Sequence, residues 1–186
     1  MTSVLVVHGK GPHGRVVMSA ALLSNDWGRV KFTDDEDGTH PADDDYSIIA
    51  IGDNAARMNR ERGRLVKIIH PSAYVDASAH IGPGAFVGPC AVVHVGAKVG
   101  RGAIINSSAM IEHDCQVCDW AHISPGAVLC GNVTVGEGVW IGANAVVKQN
   151  ITIAPWTIIG CGSVVIRDIT QPGTYVGNPA HRVGGN

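Results

Sequence analysis

Aromatic side chains are scarce in this chain: two Phe and three Tyr, with Phe, Trp and Tyr together making 5% of the residues. Bulky rings usually fill thick cores, so a narrow aliphatic interior is expected. Charge is also thin, at 16% of residues and a formal net charge of −2, which excludes the basic surface a nucleic-acid binder needs. No apolar run reaches the roughly 18 residues that cross a bilayer, and the opening MTSVLVVHGKG lacks the organisation of a secretory signal. A cytoplasmic protein with no membrane partner is therefore expected. Of the five cysteines, only Cys115 and Cys118 have metal- or redox-pair spacing, and no second pair follows them. They are read as structural.

What is present is a strict period of six. From Ile69 through Val75, Ile81 and Val87, and onward to Val165, every sixth residue is aliphatic without a break. Four residues after each lies a small position, alanine from Ala73 to Ala109, then Cys115, then Ala121 and Ala127. An amphipathic helix repeats every 3.6 residues and an ordinary strand every 2, so neither demands this pattern. A hexapeptide solenoid does, because each short strand points one aliphatic side chain inward and then turns a corner. The 24 glycines fall largely at these corners. Cys115 takes an inward small position and Cys118 a corner, in keeping with the structural reading.

Residues 1–66 follow a different grammar. Val4-Leu5-Val6-Val7 reads as a buried strand, followed by Gly9, Gly11 and Gly14 in G-x-G-x-x-G spacing and a helix from Val16 to about Ser24. A second strand, about Arg29 to Thr33, ends in Asp34-Asp35-Glu36-Asp37; a third, Tyr46 to Ile51, leads into a charged helix from Asn54 to about Arg62. This is a small βαβ, Rossmann-like unit. Backbone N–H groups at a helix N-terminus suit phosphate, and carboxylates after the second strand suit ribose or base donors. The unit is too short for both halves of a dinucleotide, which favours a mononucleotide or nucleotide-sugar. Residues 67–186 then form the solenoid and a Pro/Gly-rich tail.

The hexad also serves as a ruler. Three hexads complete a triangular coil, so residues 18 apart stack in neighbouring coils at about 4.8 Å. His113, two positions past Ile111, falls at a corner, and 18 residues on lies Gly131. A base beside an approachable backbone N–H is what acyl transfer requires, one group taking a proton and the other stabilising an oxyanion. Either Asp114 or Glu112 could orient the imidazole. A histidine zinc site is disfavoured, since the solenoid has no pair of histidines five apart such as gamma-class carbonic anhydrases use, and His80 and His94 read as polar corner residues.

Several segments occur together and in order: the glycine loop, Ile49 to Asn54, Ile105 to Cys115, His122 to Ala127, Gly136 to Ala143, and Val176 to Ala180. In this combination the chain resembles the bacterial nucleotide-sugar N-acetyltransferases that modify amino-sugar precursors, with sialic-acid O-acetyltransferases as relatives. The resemblance implies a left-handed parallel β-helix after the α/β domain, acetyl-CoA as co-substrate, no metal, and a homotrimer with acetyl-CoA between two solenoids. It also implies that His113 is the catalytic base, Asp114 its partner and Gly131 the oxyanion donor, with His122 and Ala143 on acetyl-CoA. Asn106 and His13 would line the amino-sugar pocket, and Gly11, Asp34 and Asp35 the nucleotide site. The activity implied is N-acetylation of a nucleotide-linked amino-sugar at its C-4 amine. Sugar O-acetylation and a non-catalytic nucleotide-sugar-binding scaffold are the competing readings.

Overall fold

The computed structural model describes residues 3–184. The N-terminal unit is a four-stranded parallel sheet in the order β2-β1-β3-β4, from β1 (Val4–His8), β2 (Arg29–Thr33), β3 (Tyr46–Ile49) and β4 (Arg64–Leu65). The fully buried Leu5, Val6 and Val7 put β1 at its centre. Helix α1 (Pro12–Ser24) begins four residues earlier than the sequence suggests, because Pro12 supplies a preset φ at the first turn. Helix α2 (Asn54–Asn59) is shorter than expected. Its N-cap is Asp53, whose carboxylate accepts from the Ala56 N–H at 2.7 Å. The acidic run after β2 becomes a 3₁₀ turn over Asp35–Asp37, capped by Asp34.

Two of the three loop glycines are required by packing. Gly9 has φ +113°, and a Cβ on Gly14 would collide with the Gly9 carbonyl. Gly11 has ordinary φ and only open space before it.

From Ile68 onward the chain is a parallel β-solenoid of two-residue strands, in the period the sequence announces. Its first face stacks Ile68–Ile69, Phe86–Val87, Ile104–Ile105, His122–Ile123, Trp140–Ile141 and Ile158–Ile159. The second carries Tyr74–Val75 through Val164–Val165 and the third His80–Ile81 through Thr152–Ile153. Each strand pairs with the one 18 residues on, as in Ile111 with Leu129. The inward residue of each strand is buried along nearly the whole column, from Ile81 to Val165. The small position is less uniform than expected: Val133, Val139 and Ile151 replace alanine in the later coils and are also buried. Cys115 fills its inward position completely, and burial pushes its thiol up to about 11, which suits a packing role rather than thiolate chemistry.

The outward residues make the three faces different. The third face is polar: His80, Lys98, Gln116, Thr134 and Thr152. On the first face, Ile68, Phe86 and Ile104 are buried under α1 and share a core with Leu5, Val17 and Ile48. The second face carries Tyr74, Val92, Met110, Val128, Val146 and Val164, none of them fully buried.

Candidate active site

Corner geometry places the groups singled out above. His113 lies where the second face turns into the third, and its ring rests directly on Gly131: a Cβ there would sit 2.6 Å from Cε1 and collide with Nε2. Only glycine leaves room for the ring. Gly131 does not need a positive φ, so close approach is the whole reason for its being glycine. Its N–H donates to no group among the described residues. The Nδ1 of His113 is 2.9 Å from the Asp114 carboxylate. That contact assigns the proton to Nδ1 and leaves the Nε2 lone pair facing out over Gly131. Asp114, not Glu112, is the carboxylate in contact with the imidazole; Glu112 instead faces His94 at 3.9 Å.

A second constellation stands on the first face. His122 is buried, stacked on Trp140 with centroids 5.5 Å apart, and its Nε2 lies 3.1 Å from Asn106 Nδ2. Trp140 Nε1–H in turn donates to Ser124 Oγ at 2.8 Å. Beside these rings an apolar groove of about 400 Å³ runs past Pro125, Gly142, Ala143, Ile158 and Cys161. Trp140 and Ile158 are large apolar residues left partly exposed along it. The hexad ruler reaches both, since they follow His122 at intervals of 18, but their exposure could not be read from spacing.

His13, on α1, packs edge-on against Phe86, lies 6.4 Å from the His122 ring and lines a second cavity, of about 280 Å³. Gly11, His13, Asp34, Asp35 and Glu36 line that cavity together with Gly52. Within it, Asp34 accepts from the Lys10 N–H at 2.6 Å and the Glu36 N–H at 3.0 Å, and these donors hold its carboxyl below the usual range. Asp35 is gripped by the Arg60 guanidinium and approached by His8 and His40. Arg60 first, then the two imidazoles, hold its carboxyl low. The ligand atoms of His8, Asp35 and His40 all fall within 4.8 Å of one another, the one grouping of metal-ligand type among the described residues. Arg60 already neutralises that carboxylate. Both aspartates are thus largely committed to shaping the wall, and Glu36 is the cavity carboxylate with no side-chain hydrogen bond.

Burial and the nearby Arg57 cation depress both imidazoles of the central pocket, His13 to about 4 and His122 to about 3. Arg57 itself gave no sign in the sequence beyond membership of a charged helix. It is 1% exposed and reaches from α2 across the seam to the solenoid.

The structure therefore brings His113, Asp114 and Gly131 together at one edge, and at another sets Gly11, His13, Asp34 and Asp35 in one cavity and His122 and Ala143 in a neighbouring groove, with Asn106 against the His122 ring. Asn106 lies where the first face turns into the second, so a whole face, roughly 20 Å at about 3.3 Å per residue, separates the two sets within one chain.

Comparison with known proteins agrees with this architecture. The model for the bacterial transferase hexapeptide family (six repeats) matches residues 96–131 and 132–167. The chain superposes on the acetyltransferase domain of PglB from Neisseria gonorrhoeae, solved with acetyl coenzyme A, at TM-score 0.92 and 32% identity, covering 98% of this chain and 100% of that one. PerB from Caulobacter crescentus, solved with CoA and GDP-perosamine, matches at TM-score 0.88 and 29% identity over 99% of each chain. WeeI from Acinetobacter baumannii shares the fold at TM-score 0.82 and 23% identity, over 98% of this chain and 100% of that one. No curated protein matches by sequence.

Proposed function

The chain belongs to the bacterial sugar N-acetyltransferases of the hexapeptide-repeat superfamily, and from that premise we propose that it moves an acetyl group from acetyl-CoA to the C-4 amine of a nucleotide-linked amino-sugar. The observation that carries the reading is the His113 imidazole lying on the Gly131 backbone with its Nδ1 tied to Asp114. In this reading the solenoid is left-handed, and residues 1–66 form the Rossmann-like nucleotide domain ahead of the acetyltransferase domain at 67–186. The amine nitrogen attacks the thioester carbonyl, and the oxyanion that forms meets the Gly131 N–H. His113 Nε2 takes the amine proton as the C–N bond forms, and the C–S bond breaks to release CoA thiolate, which can be protonated by the imidazolium.

The apolar groove beside His122 and Ala143 suits the pantetheine arm, and its walls offer few charges. The cavity at Gly11, Asp34 and Asp35 suits the nucleotide, with Asn106 and His13 facing the sugar between them. Metal chemistry has no step in this scheme. A cytoplasmic location fits acetyl-CoA as co-substrate.

The two edges must then come from different chains, which is the argument for a homotrimer. If three solenoids set their apolar second faces toward a common threefold axis, each interface joins the second-to-third corner of one chain to the first-to-second corner of the next. That brings His113 of one protomer toward Asn106, His122 and His13 of its neighbour. The outward series Val92, Met110, Val128, Val146 and Val164 supports this choice of face, since the third face is polar and the first is already covered.

Thiol release from acetyl-CoA, measured with UDP-, dTDP- and GDP-linked 4-amino-sugars and their 4-hydroxy counterparts, tests the reading. Turnover with an amino-sugar and none with the hydroxy-sugars is expected. Turnover confined to hydroxy-sugars would replace it with O-acetylation, and nucleotide-sugar binding without any turnover would favour a scaffold.

A further inference from the structure

Arg57 is an unusual group for a protein with so little charge. Its guanidinium is buried, and among the described residues no carboxylate lies within ion-pair distance of it. Buried charges are ordinarily paired, because leaving water costs several kcal/mol. Arg57 instead donates to carbonyls: Gly102 at 2.7 Å and Trp120 at 2.6 Å on the solenoid, and Ile51 at 2.9 Å and Gly52 at 3.2 Å in the β3–α2 loop. It also donates to Asn54 Oδ1 at 2.9 Å, while Asn54 Nδ2 donates to Gly138 O at 3.1 Å. Gly102, Trp120 and Gly138 form one corner column at intervals of 18, so this network fastens α2 down three successive coils.

The same loop carbonyls border the acceptor pocket. Gly52 lines the nucleotide cavity, and its carbonyl approaches the His122 ring, although Nδ1 has no partner in hydrogen-bonding geometry. The orientation of His122 follows from Asn106. The Ser107 N–H donates to Asn106 Oδ1 at 2.8 Å, so the amide must turn Nδ2 toward His122, and His122 Nε2 must accept. A protonated ring would set N–H against N–H. An unpaired cation behind the pocket opposes that state, and among the described residues Arg57 is the one fixed cation felt at either ring: His13 meets Phe86 and His122, and His122 meets His13, Asn106 and Trp140. Asp53, at the N-terminus of α2, is the carboxylate whose charge is felt at Arg57.

We propose that Arg57 is a positioning residue of the acceptor pocket, a buried cation that fixes the β3–α2 loop to the solenoid, keeps His122 a neutral acceptor that aims the Asn106 amide, and keeps His13 an uncharged imidazole at the sugar. This rests on the acetyl-transfer reading only for what the pocket binds. A neutral His13 can accept from a sugar hydroxyl or amine, whereas cationic rings would repel the protonated amine as it arrives.

Ring titration by NMR of the substrate-free protein separates charge from structure. Arg57→Gln keeps an amide donor but removes the charge, and it should move the protonation of His13 and His122 upward by about one pH unit or more. With the nucleotide-sugar, kcat/KM should fall at least about tenfold, with its acid limb moved the same way. Arg57→Lys should leave the ring titrations where they are. Should Arg57→Gln fail to fold, Arg57→Met takes its place: rings that move up support the proposal and rings that titrate as in the wild type overturn it. A folded Arg57→Gln whose rings titrate as in the wild type also overturns it. Neither ring measurement needs turnover, so this failure is distinguishable from failure of the acetyl-transfer reading.

Discussion

Gly131→Ala should separate catalysis from folding at a single atom. The glycine has no positive φ, so an alanine adopts the same backbone freely, and stiffening the unfolded chain should leave stability unchanged or raise it by about 0.4–1 kcal/mol. The new methyl would lie 2.6 Å from Cε1 of His113 and closer still to Nε2. Ordinary contact begins near 3.4 Å, so the ring must withdraw by about 1 Å. His113 is half-exposed and can swing away without disturbing the core, which keeps the cost off the fold. A displacement of that size at a reacting group costs about 10²-fold in rate. The oxyanion donor is crowded by the same methyl, which adds to the loss. Paired thermal melts and steady-state kinetics on the purified protein form the assay. A variant that melts at or above the wild-type temperature yet keeps kcat within about threefold would refute the contact between base and oxyanion donor as the basis of turnover.

Three further outcomes follow from the same geometry. His113→Ala should lower kcat by about 10²–10⁴-fold while both substrates still bind by calorimetry. Asp114 has φ +61°, which asparagine tolerates better than alanine, so Asp114→Asn removes the charge with little strain and should lower kcat by about tenfold or more without lowering the melting temperature. Stability should depend on pH through His13 and His122. The unfolded chain takes up protons on these rings below about 6.5 while the native one resists until about 4 and about 3, so the melting temperature should fall as pH drops through that window. The fall should be shallower in His122→Phe, and an equal slope would show that this ring is not held neutral by the fold.

The solenoid was legible because its cause is local and repeated: each coil buries the same side chain at the same phase, so one register accounts for the core from Ile81 to Val165. The contact between His113 and Gly131 was legible for the same reason, being a vertical neighbour at an interval of 18. What the ruler could not reach was anything depending on which face is covered. Arg57 touches three coils at once, but only after α2 has docked, and nothing in its sequence neighbourhood marks it as buried. Asp34 and Asp35 read as nucleotide-facing carboxylates from their place after a strand. Their hydrogen bonds to Lys10, Glu36, Arg60, His8 and His40 arise from turn geometry that the acidic run alone does not disclose.

The separation of the two edges yields the sharpest test of assembly. His113→Ala and Asn106→Ala proteins, each nearly inactive alone, should regain activity when unfolded together and reassembled. If every site takes its base from one chain and its acceptor pocket from the next, a random equal mixture gives about a quarter of interfaces with both elements intact. If base and pocket served the same site within one chain, no mixed trimer would contain a complete site, and activity would stay at the level of the separate variants. Met110→Glu on the second face supplies the control. Placing a charge in the apolar stripe should dissociate the assembly in light scattering and abolish the recovery, while the solenoid core behind Ile111 stays intact. Recovery of about a quarter of wild-type activity, lost on dissociation, would require a shared site; a dissociated Met110→Glu protein with full turnover would rule one out.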